Sequence, residues 1–461
     1  MPGRAGQRAL RGETVGKHAK RWGLLGSAVL LALGAAIAPA AAQTGGATTP
    51  QATEIGVTPT TIRIAVVADV NNAAAPGIFQ GSVDAVNGFA KYVNAHGGIA
   101  GRKVVVDFYD SKLSDSEARN AVIKACSNDF AMVGTSALFL NNVDDQLACK
   151  DQAGAPTGLP DLPFVTTEVV QQCSPDTYPM APPQIICSTQ GDHPQTYQSN
   201  VGRGYYYKQK FGNSLHGVYI FGNDVKAAEN STIASLGQLR RVCCTSDQDF
   251  GVSAASPQSA YTPIVQAMKN HSSNYGQSTS TFNTTVSLRR EAQLQGVMAK
   301  VWDCGTQCYS PQILTQGGSA VDGEYVDTLY LPFLDSAERA ANPMAAAFVK
   351  YTGADKAGEL GGVYAWSAGV ALQQAINAAV KQGGVNAVTR KNIFTQLKAI
   401  HSFNAAGLLG TIDLAGRVIS PCHVLLQIQN GKFVRLSPTK PGTFDCAKKN
   451  VIHEKLDLSS S

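Results

Sequence analysis

Within residues 61–110 the hydrophobic period changes twice, and that alternation restricts the fold more than any other feature of the chain. Ile62, Ile64, Ala65, Val66 and Val67 make a short β-rich apolar run, the pattern of a strand covered on both faces. After a loop of Asn, Ala, Pro and Gly, apolar residues recur at spacings of three and four: Val83, Val86, Ala90 and Val93. That spacing places them on one face of a helix. His96-Gly97-Gly98 ends it, because glycine takes the left-handed cap conformation without strain. Val104, Val105, Val106, Phe108 and Tyr109 then read as a second strand. The result is a βαβ unit with a right-handed crossover.

The rhythm continues downstream. Ser114-Asp115-Ser116-Glu117 is a capping-box pattern that starts a helix running to about Cys126. Strands are expected at 130–134 and 163–165, with a helix through Leu147 between them. Residues 171–195, rich in proline and without a clear period, interrupt the pattern. It resumes with a helix at 202–211 and strands at 215–221, 241–245, weakly at 273–282, at 297–302 and at 324–331, with helices between. Helices follow at 344–351, 363–380 and 392–400, then a hairpin of 424–428 and 432–436 around Asn430-Gly431. Such alternation predicts parallel sheets covered by helices on both faces.

Two segments carry a family resemblance. Asn94-Ala95-His96-Gly97-Gly98-Ile99-Ala100-Gly101-Arg102 resembles the N-x-x-G-G-I-x-G-R signature of type I periplasmic binding proteins, nearest to the branched-chain amino acid-binding branch that feeds ABC transporters. Residues 405–413, AAGLLGTID, are similar to the family's third inter-lobe crossing. The resemblance spans about residues 60–440. It implies two interleaved doubly wound α/β lobes joined by a three-strand hinge. Residues 61–185 and 332–410 would form the first lobe, and 186–331 and 411–461 the second. The implied function is capture of a small polar or amphipathic metabolite, an amino acid or related compound, for delivery to a membrane permease. No cofactor, metal or catalysis is expected, and a monomer is. A ligand-sensing receptor domain of the same fold is the alternative. A more remote one is a secreted serine hydrolase, in which Ala365-Trp366-Ser367-Ala368-Gly369 would serve as a nucleophile elbow.

Charge adds one exclusion. The chain's formal net charge is +5, and residues 1–42 supply all of it, with six basic side chains against Glu13 alone. The remainder is neutral, so nothing in the charge balance points to nucleic acid. That leader has a basic start, an apolar run at 23–38 and Ala-rich residues before Gln43, the parts of a secretory signal peptide. Residues 43–60 read as a flexible lead-in. In an exported protein the ten cysteines argue for disulfides, with proximity favouring Cys126–Cys149, Cys173–Cys187 and Cys422–Cys446. Cys243 and Cys244 are expected on opposite faces of a strand, with partners open. Cys304 and Cys308 have metal-like spacing, but lacking a second ligand pair they read better as disulfide cysteines.

Ligands of parallel α/β sheets sit beyond the carboxyl ends of the strands. The loops at 71–79, 135–139 and 165–168 of the first lobe should therefore face those at 222–225, 281–283 and 303–308 of the second. The resemblance assigns the ligand carboxylate to hydroxyls and backbone N–H groups at Ser136, Ala137, Thr166 and Thr167. It assigns the ammonium to Asp303, although Gly305 stands at the more literal position. Phe79 or its neighbour Ile78, Phe282 and Trp366 would supply apolar walls. Each has a plainer reading: a helix cap for the hydroxyls, a turn residue for Asp303, ordinary core for Trp366.

Overall fold

The computed structural model describes residues 49–182 and 184–458; the leader at 1–42 lies outside them. Strands β1 (Thr61–Ala68), β2 (Lys103–Asp110), β3 (Ala131–Val133) and β4 (Asp161–Leu162) form a fully parallel sheet in the order β2-β1-β3-β4. From Ala65 to Ala68 every residue of β1 is buried, as a strand covered on both faces requires. The helix Gln80–Ala95 connects β1 to β2.

The glycine signature has a local physical cause. Asn94 at the end of that helix bonds both the amide and the carbonyl of Val104, pinning the helix to β2. Gly98 has φ +79°, and a Cβ there would lie 2.1 Å from the Arg102 carbonyl oxygen. The buried Arg102 guanidinium donates to the carbonyls of Thr58, Val385 and Gln51. Residues 49–60 are consequently not a loose lead-in. Val57 is core, and the buried Glu54 carboxylate accepts from the amides of Gln152 and Arg390.

The chain then leaves this sheet. Strand β5 (Gln195–Asn200) precedes β6 (His216–Gly222), β7 (Thr245–Val252), β8 (Tyr275–Ser278), β9 (Val301–Cys304) and β10 (Glu324–Thr328). After the helices Pro343–Thr352, Gly362–Gly383 and Arg390–Leu397, β11 (Val424–Gln429) and β12 (Lys432–Ser437) complete a seven-stranded sheet, ordered β12-β11-β10-β9-β8-β6-β7. The pairs from β7 to β10 are parallel, while the β11–β12 hairpin adds on antiparallel to β10. The three late helices return to the first sheet. Gly369 lies against Phe89, and Ala365 against Gly134 at the end of β3. Between the sheets the chain segments bond to one another: Leu331 N–H to the Leu408 carbonyl at 2.9 Å, and Gly410 N–H to that of Leu329 at 3.0 Å. The Arg417 guanidinium joins them to the segment ahead of β5 through the carbonyls of Ser174 and Thr177.

Several strands differ from the sequence expectation; the one read at 297–302 begins only at Val301 and runs to Cys304 as β9. The strand read at 241–245 starts only at its last residue: the helix Lys226–Val242 takes the first two positions, and β7 begins at Thr245. As the edge strand beside β6, β7 is largely exposed, so its sequence TSDQDFGV is polar. The fourth strand lies earlier than 163–165 and is two residues long. The C-terminal residues form β13 (Val451–Leu456), antiparallel to β5, a pairing made across most of the chain.

The structure joins Cys126 to Cys149, Cys173 to Cys187, Cys304 to Cys308 and Cys422 to Cys446. Cys243 and Cys244 pair with each other. They leave the end of the Lys226–Val242 helix with Cys244 at φ +63°, so they are not alternating strand residues.

Candidate functional site

The carboxyl ends of the parallel strands in the two sheets face a common region, where two cavities lie. The larger, about 550 Å³, takes Pro76, Ile78 and Gln80 from the loop after β1 and Glu359 and Leu360 from the lead-in to the Gly362–Gly383 helix. Its opposite wall comes from the other sheet: Thr281, Phe282 and Asn283 after β8, and Gln307, Ser310, Gln312 and Gln316 after β9. The smaller, about 390 Å³, lies beyond β4, between Thr167, Glu168 and Gln172 on one side and Lys226 and Asn230 on the other. Tyr197, His193, Leu456 and Asp457 close it. Both volumes suit a small molecule.

Local sequence shapes the larger cavity. Asn72 holds the loop after β1 by bonding the amide and the carbonyl of Ala75, and Gly77 N–H returns to the Val70 carbonyl. Across the cavity the Thr281 hydroxyl caps the helix Phe282–Leu294. Two glycines let the lead-in settle onto the first sheet's helix. A Cβ at Gly81 would meet Glu359 Cβ at 2.7 Å. Gly361, the N-cap at φ +86°, lies directly over the Ser82 hydroxyl and the Phe164 ring.

This close packing redirects several expected ligand contacts. Ser136 is buried, its hydroxyl bonded to Ser82 Oγ at 2.8 Å and to the Gly134 carbonyl, and neighbouring Ala137 is buried beside it. Neither lines a cavity described above, because the glycine lead-in covers the end of β3. Phe79 turns inward against Phe164, which stacks on Tyr364 at 5.0 Å, and Ile78 faces the larger cavity instead. Thr166 is buried, with Oγ1 lacking a partner among the described residues. Thr167 lines the smaller cavity but donates its hydroxyl to the Leu138 carbonyl. Phe282 lines the larger one.

Two expectations are corrected outright. Trp366 has no exposed surface: Phe89, Tyr92 and Phe348 surround its indole, and its N–H points to the Met344 sulfur. It holds the returning helices to the Gln80–Ala95 helix. Asp303 is fully buried, accepting from Arg203, Tyr207 and Tyr275 within the second sheet's layer. Strand alternation aims it at the helix Gly202–Phe211 rather than at the strand end.

The hydrolase alternative fails on geometry. Ser367 lies buried inside the helix Gly362–Gly383, where its hydroxyl donates to the Val363 carbonyl, so no strand-to-helix elbow exposes it. Among the described residues no cluster of three His, Cys, Asp or Glu side chains could hold a metal, and no helix is long and apolar enough to cross a membrane. Glu359, which no sequence motif singles out, also lines the larger cavity. Burial, then the charge of Asp84, raises its carboxyl above the ordinary range, Lys356 acting oppositely, and Oε2 has no hydrogen-bond partner among the described residues. The one available signal was the glycine-rich lead-in, Gly353, Gly358 and Gly361.

Residues 61–432 match the family described as periplasmic binding protein. A comparison with curated proteins finds no match. Among solved structures, the fatty acid ABC transporter substrate-binding protein from Thermomonospora curvata superposes with a TM-score of 0.64 at 13% identity, over 87% of this chain and 96% of that one. A leucine-binding protein from Thermotoga maritima gives 0.59 at 17% identity, over 82% and 98%. A solute-binding protein from R. palustris in complex with benzoate gives 0.58 at 16%, over 84% and 98%. At these identities the likeness is one of fold.

Proposed function

The chain belongs to the periplasmic binding protein family, and from that premise we propose that it captures a small polar or amphipathic solute between its two sheet layers and delivers it to an ABC transporter permease. The observation that carries this reading is the larger cavity, whose walls come from both layers. A molecule seated there touches Ile78 and Leu360 on one side and Phe282 and Gln307 on the other. Such a ligand favours the closed arrangement by the contacts it gains only there, which is population shift.

In this reading residues 61–185 with 332–410, and 186–331 with 411–461, are the moving lobes. The bonded segments around 329–331 and 408–410 are part of the hinge. The leader directs export, the mature protein is an extracytoplasmic monomer, and the site binds without catalysis. Transport is favoured over sensing because the solved relatives named above are ABC or solute-binding proteins. Native mass spectrometry of the purified protein tests the reading: one small molecule per chain is expected, released on unfolding. Chemical conversion of that molecule by the protein would overturn it.

A further inference from the structure

We propose that the larger cavity selects a ligand bearing a protonated amine and no anionic group, with Glu359 as its counter-charge. This rests on the solute-capture reading. Among the described residues Glu359 is the only ionisable side chain lining the cavity, and no Lys, Arg or His of theirs contributes to its walls. One oxygen of its carboxylate is buried without a partner among the described residues. The adjacent Lys356 is engaged by Asp84 at 3.0 Å, and Arg290, behind the far wall, donates to the Gln316 carbonyl. A half-buried carboxylate with one oxygen buried and unpartnered carries a desolvation cost, and an ammonium group offsets that cost where a carboxylate ligand adds to it.

The rest of the lining agrees. The side-chain amides of Gln80, Asn283, Gln312 and Gln316 make no hydrogen bond to other described residues, so they are available to a polar ligand. Ile78, Phe282 and Leu360 provide the apolar surface for a hydrocarbon body. The Ser136 hydroxyl, suited to a carboxylate, is sealed beneath Gly361 and already bonded. The ligand class is therefore an aliphatic or aromatic amine, with amides or hydroxyls tolerated elsewhere on it.

Benzylamine, benzamide, benzoate and leucine separate the charge states on comparable apolar bodies. Calorimetric titration of the full chain should show benzylamine binding at least about tenfold tighter than benzoate. Glu359→Gln should weaken benzylamine by about tenfold while leaving benzamide within about threefold, the unchanged benzamide affinity showing that the fold survives. Benzoate or leucine binding as tightly as benzylamine, or an unchanged benzylamine affinity in the variant, overturns the proposal. A co-purified carboxylate without a basic nitrogen overturns it too, yet leaves solute capture standing. A chain that binds none of the four and carries no small molecule removes both.

Discussion

At the scale of single residues, an aromatic or charged side chain near a strand end serves either the ligand or the fold, and burial decides which. Trp366 serves the fold: Trp366→Ala should cost about 3–5 kcal/mol of stability, the range for a fully enclosed large aromatic. Urea unfolding would measure it, and ligand affinity of the folded fraction should not change. Phe282 is the contrasting case. It is half-buried on the cavity wall, so Phe282→Ala should weaken the co-purified ligand by about 1–2 kcal/mol in titration and leave the unfolding midpoint almost unmoved. His423 makes a pH-dependent contribution. Burial opposes its charge, but the carboxylates of Asp327, 2.7 Å from Nδ1, and Asp445, 3.7 Å from Nε2, together outweigh burial and raise its pKa to about 9. The fold thus favours the imidazolium; the stabilisation is complete below the ordinary value near 6.5 and fades as pH rises through about 9. Urea midpoints of wild type and His423→Gln should differ most below the ordinary histidine value, at about pH 5–6, and converge toward pH 10.

At the scale of elements, the lead-in to the Gly362–Gly383 helix is the most demanding piece. Gly361 combines φ +86° with a Cβ position only 2.4 Å from Ser82 Oγ. Gly361→Ala should destabilise by about 2–4 kcal/mol, from left-handed strain plus a clash with the Ser82 hydroxyl and the packed Phe164 ring. Calorimetric melting would check this, and a melting temperature equal to wild type would mean the lead-in is not anchored there. The C-terminal region depends on a different constraint. Cys422–Cys446 closes a loop of 24 residues ahead of β13, whose partner β5 lies far back in the chain. Replacing both cysteines by serine should cost about 3–4 kcal/mol by loop-closure entropy, with the last strand exchanging its amide hydrogens faster.

At the scale of the whole molecule, the proposed function rests on the division into two sheets and on the chain segments that join them. The first sheet takes its strands from residues 61–162, while its covering helices include three from residues 343–397. That interleaving makes each half dependent on sequence from both sides of the other. Short bonded segments link the halves, which also share one buried apolar cluster, and in the solute-capture proposal those segments carry the relative motion. In scattering measurements the ligand-bound protein should accordingly be more compact than the ligand-free one.

By itself the sequence determined the alternation of strand and helix, the glycine-bounded turn from 94 to 104 and the hairpin at Asn430-Gly431. These depend on period and on backbone freedom within a few residues, so they are legible locally. Only the tertiary structure decided that Ser136 is sealed, that Trp366 is core, that Asp303 faces away from the strand end and that Glu359 stands on the cavity wall with one oxygen unpartnered among the described residues. Each of those outcomes is set by what a segment more than fifty residues away presses against, as Gly361 presses on Ser82. No local pattern of hydrophobicity encodes such a contact, because it depends on how two separately formed elements pack.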